Sequence, residues 1–207
     1  MTFWAPVLLG VVGFAAGSLL FLGVALLLSQ TGRVAVRLSP SRLPTARILS
    51  FSLLLGVMSA LEELIFRGVV LGLGSAVIGS TAALALSTIL FAAAHRTAEP
   101  LTGWAWLNLI LVGALLGFVY LGWGLLPAIG LHWGWNQWEW GLCFHVSGER
   151  TTRQLPPPSR LRSLIGYPYG PEAHPTATVV LTLGALGIWF LLHAQMPGLW
   201  GPGHLSF

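Results

Sequence analysis

The sequence predicts an all-α protein, a polytopic bundle of about six transmembrane helices. Three observations carry that prediction. The 207 residues are 55% hydrophobic and 8% charged, with a mean hydropathy of +0.79, whereas a soluble globular domain holds about 25% charged residues. The apolar residues gather in runs long enough to cross a hydrocarbon core of about 30 Å. Most of the charge, ten Arg and six Glu with no Lys and no Asp, lies between those runs.

In chain order, Trp4 to Leu28 is the first apolar run. It is longer than a signal-peptide core and no basic residue precedes it, so it reads as a retained span. A polar linker from Ser29 to Arg47 follows, carrying Pro40, Pro44 and four Arg. Span 2 runs from Ile48 to about Leu73 and a short Gly/Ser turn ends it; span 3 runs from about Ala76 to His95. After the polar stretch Arg96 to Pro100 comes span 4, about Gly103 to Gly122. Trp123 and Gly124 break the pattern before span 5, Leu125 to Phe144. The Pro- and Arg-rich stretch 145–175 is too polar to span, and span 6 covers about Thr176 to Gln195. This ordering divides the chain into a first span with its Arg-rich linker (1–47), a helix bundle (48–195) containing the polar loop, and a short tail (196–207).

Six spans put all nine Arg outside span 2 on one side of the membrane: Arg33, Arg37, Arg42 and Arg47, then Arg96, then Arg150, Arg153, Arg160 and Arg162. The positive-inside rule makes that side cytoplasmic and both termini external. The same distribution makes the net charge of +4 a topology signal, and nucleic acid is not an expected partner. Small-residue pairs Gly13/Gly17, Gly68/Gly72, Gly113/Gly117 and Gly130/Gly134 have the four-residue spacing that lets membrane helices pack closely. The single Cys143 forms no internal disulfide and lies in no zinc or redox motif.

Chemistry concentrates where polar groups enter the spans. Glu62, Glu63 and Arg67 interrupt span 2, and ionisable groups at membrane depth cost several kcal/mol unless paired or put to use. Of the six glutamates, only these two lie deep in an apolar span. Helical spacing sets Glu63 over Arg67 as an ion pair and turns Glu62 to another face, without a local partner. Span 3 ends with Phe91 and His95 on one face, and span 5 carries His132 and Asn136 at the same spacing. Each polar group alone would serve as interhelical glue or an interface marker. Together, a free carboxylate, two imidazoles and a carboxamide contain the parts for amide hydrolysis: a base for water and donors for an oxyanion. The same set would also suit Zn²⁺ held by two His and one carboxylate, and spacing does not separate the two.

Three motifs in order, Glu62-Glu63-x-x-x-Arg67, Phe91-x-x-x-His95 and His132-x-x-x-Asn136, resemble the CPBP family of intramembrane proteases, with its CAAX-prenyl endopeptidase and bacteriocin-processing members. The context Leu126 to His132 and Gly170-Pro171-Glu172 is similar to bacterial members, and the resemblance covers roughly Ile48 to Phe190. It implies an intramembrane endopeptidase in which Glu62 activates water with His95, while His132 and Asn136 form the oxyanion hole. Glu63, Arg67 and Phe91 would organise the site, with no metal or other cofactor and Zn²⁺ as the alternative. The implied substrate is a membrane-associated protein or peptide in the lipid bilayer, and the implied location a bacterial inner membrane. A small proton-coupled transporter using Glu62, His95 and His132 as a relay, and a non-catalytic immunity or scaffold protein, are the competing readings. At about 1.5 Å per residue from Ile48, Glu62 is expected past the midplane and His95 near the inner face.

Overall fold

A computed structural model describes residues 4–30, 45–95, 101–139 and 173–195. Most of the Arg-rich linker, the Arg96 to Pro100 stretch, the end of span 5, most of the polar loop and the tail lie outside the described residues. Among the described residues seven α-helices and a long π-helical segment follow in order, with a π turn also at 137–139: α1 Ala5–Gln30, α2 Thr45–Glu63, the π segment Leu64–Leu73, α3 Gly74–Ile78, α4 Ser80–Ala94, α5 Gly103–Trp123, α6 Leu125–Asn136 and α7 Pro175–Gln195. No strand occurs among the described residues. The all-α membrane bundle expected from hydropathy is the fold found.

α2, the π segment and α3 form one apolar run, Ile48–Ile78, of 31 residues. With Ala5–Leu28, Gly103–Trp123 and Pro175–Gln195 it is one of four helices among the described residues long and apolar enough to cross a membrane. The other two passes are shorter, α4 having 15 residues and α6 having 12 before its wider turns through Glu139. A full crossing takes about 20 residues, more than the described residues of either element supply, and their histidines, His95 and His132, meet Glu62 within the bundle. Polar groups are tolerated at that depth only where protein surrounds them or a watered cavity reaches them.

The turn between spans 2 and 3 lies later than the sequence suggests. Gly74 and Ser75 stay helical, with Gly74 at φ −60° and the Ser75 hydroxyl donating to the Leu71 carbonyl at 2.6 Å. The chain reverses at Gly79, whose φ of +80° a side chain would resist. Gly124, at φ +89°, makes the corresponding break between α5 and α6. Glu62 and His95 are almost equally far in sequence from Gly79, so this hairpin returns His95 to the level of Glu62. The expected mismatch in depth is thereby removed.

The core gathers Phe21, Val24 and Leu28 of α1, Leu115 and Leu116 of α5, Leu131 and Trp135 of α6, and Leu181 of α7. α1 and α6 meet backbone to backbone. A methyl group on Gly13 or Gly17 would strike the carbonyls of Pro127 and Leu131, and one on Gly130 or Gly134 those of Gly10 and Phe14. The spacing read as a packing signal thus operates reciprocally on two helices. Phe14 packs edge-on to Trp133 at 5.1 Å and Phe21 to Trp135 at 5.3 Å, flanking this contact. Outward, Leu53, Leu54, Val57, Leu61, Leu64 and Ile65 of the long helix stay exposed, a face for lipid.

Candidate active site

The site begins where α2 widens into the π segment. Glu63 and Arg67 are fully buried, and Arg67 Nη1 donates to Glu63 Oε1 at 2.9 Å. Arg67 Nη2 donates to the Gly113 carbonyl of α5 at 2.9 Å, and the guanidinium lies over the Phe91 ring at 4.4 Å. A side chain at position 113 would crowd Thr88 and Phe91 at 3.3–3.4 Å, so this glycine lets α5 close on α4 beside the guanidinium. A buried cation costs several kcal/mol in desolvation unless it is paired, and Arg67 meets that cost with hydrogen bonds to α2 and α5 and a ring contact with α4, its Nε alone lacking a partner among the described residues.

Glu63 also has a second partner. His132 of α6 lies with Nδ1 at 2.8 Å from the same Glu63 Oε1. A carboxylate already paired with arginine only accepts, so His132 Nδ1 carries the hydrogen and donates it. His95 is oriented in the same manner, its Nδ1 donating to the Phe91 carbonyl at 2.8 Å. Both imidazoles therefore direct Nε2 elsewhere, and both point it at Glu62. The Glu62 Oε2 atom is 3.5 Å from His95 Nε2 and 4.0 Å from His132 Nε2. These separations exceed direct hydrogen bonds yet lie within reach of one shared water oxygen. Glu62 retains 30% side-chain exposure and His95 28%, against 7% for His132, so the cluster opens on the Glu62–His95 side.

Phe91 is the centre on which these groups pack: its ring centroid is 4.4 Å from that of His95, 5.9 Å from His132 and 5.4 Å from Phe66. Asn136, one helical turn beyond His132, donates from Nδ2 to the Ser59 hydroxyl of α2 at 3.2 Å. The structure thus brings Glu62, Glu63, Arg67, Phe91, His95 and His132 into one contact network and holds Asn136 beside it through Ser59.

Three features were not anticipated. The expected division between a self-contained Glu63–Arg67 pair and a lone Glu62 gives way, because Glu63 also orients His132. Ser59, fully buried one turn before Glu63, carries a polar contact that composition does not flag; its i,i+4 offset from Glu63 was the available signal. Glu139 is the correction to the claim that only Glu62 and Glu63 lie deep, for it is 1% exposed and accepts from Trp135 Nε1 at 3.0 Å. The Trp135–Glu139 spacing of four could have found it.

An all-helical bundle with carboxylates and imidazoles converging inside it defines a polytopic membrane protein with a buried polar site. Residues 43–138 match the family described as Type II CAAX prenyl endopeptidase Rce1-like. The matched segment holds Ser59 and every residue of the cluster, from Glu62 to Asn136; α1 and α7 lie outside it. No curated protein and no solved structure matches the chain significantly.

Proposed function

We propose that the protein is an intramembrane endopeptidase that hydrolyses a peptide bond of a membrane-associated protein or peptide, with Glu62 activating the water. The observation that carries this reading is Glu62 Oε2 facing two imidazole Nε2 atoms at 3.5 and 4.0 Å. In neutral rings those Nε2 atoms are acceptors, because both Nδ1 positions hold the hydrogen. Glu62 Oε2 and His95 Nε2 then form a pair of acceptors for the two hydrogens of one water, with His132 left for the oxyanion.

In the proposed reaction the water oxygen bonds to the scissile carbonyl carbon while one of its protons passes to Glu62, with His95 assisting. The carbonyl π pair moves onto oxygen, and donors from His132 and Asn136 receive that charge. His132, bonded through Nδ1 to Glu63, would donate from Nε2 to that oxygen when both ring nitrogens carry hydrogen. Collapse of the tetrahedral intermediate breaks the C–N bond, and the proton held by Glu62 and His95 leaves with the amine. Glu63, Arg67 and Phe91 hold these groups in register.

The test uses purified protein in proteoliposomes and a quenched-fluorescence peptide bearing a farnesylated CAAX tail, a probe chosen from the family description. Glu62→Gln should lower turnover by about a hundredfold or more, the range for loss of a general base, with insertion and yield unchanged because Glu62 is partly exposed. Undiminished cleavage would sink the assignment. The proposed mechanism uses no metal, so turnover should survive exhaustive chelation; loss restored by stoichiometric Zn²⁺ would transfer water activation to a Glu62–His95–His132 metal site. A bacterial inner membrane is the proposed location.

A further inference from the structure

α2 and α6 run antiparallel through the site and are joined by two polar rungs. Glu63 bonds His132 at 2.8 Å. Four residues earlier on α2, and four later on α6, Ser59 bonds Asn136 at 3.2 Å. We infer that Ser59 is a positioning residue of the reaction: it does for the Asn136 carboxamide what Glu63 does for the His132 imidazole. The inference rests on the proposed oxyanion role of Asn136 and adds a residue outside the three motifs.

The physical need is specific. The terminal torsion of an asparagine has broad, shallow minima, so a carboxamide without a partner swings easily and presents oxygen as readily as N–H. An oxyanion requires N–H, and an oxygen turned toward it would repel. One N–H of Nδ2 is committed to Ser59 Oγ, which fixes the amide plane and leaves the second N–H for substrate. Ser59 is fully buried, so water does not replace its hydroxyl there, and a polar group placed at that depth is costly without a bond to make. Gly56, one turn before it, lies against the indole of Trp133 and keeps α2 and α6 close at this level. Donors fixed before the reaction cost no reorganisation as charge develops.

The chain contains only two asparagines, Asn108 and Asn136, which makes the test direct. Asn108 sits in a separate network, donating to the His174 carbonyl at 3.2 Å and accepting from Thr178 at 2.7 Å. Protein labelled with ¹⁵N at asparagine side-chain amides gives one pair of carboxamide signals from each. Ser59→Ala should shift the Asn136 pair and speed its hydrogen exchange by roughly five- to tenfold, the loss of one hydrogen bond. The Asn108 pair should stay in place and report an intact fold. On the farnesylated peptide, the variant should lose roughly tenfold in kcat with KM unchanged, the pattern of an interaction made in the transition state. Ser59→Thr, which keeps the hydroxyl, should restore both readouts, and Ser59→Ala should cost nothing further in an Asn136→Ala background. Asn136 signals that do not move, or an equal loss in that background, would overturn the inference while leaving Glu62→Gln as the separate test of the reaction itself.

Discussion

Arg67 shows how a single residue can hold a polar site together inside an apolar bundle. Its two outer nitrogens reach Glu63 and Gly113, and its face covers Phe91, so one side chain joins the π segment, α4 and α5. Removing it would leave Glu63 as a buried carboxylate facing only His132. Arg67→Ala should therefore cost about 3–5 kcal/mol, the range for breaking a buried pair from one side, and should lower the yield of folded protein together with activity. Arg67→Lys keeps the charge and loses the planar fork, so it should recover only part of the stability; thermal unfolding in detergent compares the variants. Glu62→Gln should unfold with the wild type, because Glu62 makes no hydrogen bond that the described residues require. Coincident losses in all three would argue that Glu62 too is structural.

At the scale of elements, the proposed site is held in place by a helix that contributes no residue to it. α1 lies outside the segment that matches the family, yet its glycines interlock with α6, which carries His132 and Asn136. Gly17 meets the carbonyl of Leu131, the residue before His132. Gly17→Leu should push α6 off α1, displace His132 from Glu63 by a fraction of an ångström or more, and reduce both thermal stability and turnover. Gly187→Leu is the control, because nothing lies within 4 Å of the position its Cβ would take. Equal behaviour of the two variants would show that α1 is a passive anchor. The hairpin at Gly79 is the second element that matters: by reversing the chain there rather than at Gly74, it brings His95 at the end of a 15-residue helix to Glu62 in the middle of a 31-residue run.

For the whole molecule, two kinds of information separate cleanly. Hydropathy and helical period are local, and from them the sequence by itself determined an all-α membrane bundle, helix limits within a few residues for α1, α5 and α7, and the Glu63–Arg67 pair four residues apart. It also named the residues that converge, since ionisable and amide side chains are conspicuous in an apolar background. The Arg-rich loops that set orientation fall almost wholly outside the described residues. What only the tertiary structure decided is which groups share a bond. Glu63 and His132 are 69 residues apart, Ser59 and Asn136 77 apart, and no periodicity reports a contact across such separations. The sequence sets the turn too early, at Gly74 and Ser75 rather than Gly79, for a related reason: both glycines permit reversal, and packing against neighbouring helices selects one. The burial of Glu139 likewise depends on how α6 sits in the bundle. Sequence supplied the polar groups of the proposed site because lipid makes polar residues expensive enough to stand out. Folding supplied their geometry because the direction of a hydrogen bond is set by helices that meet only in space.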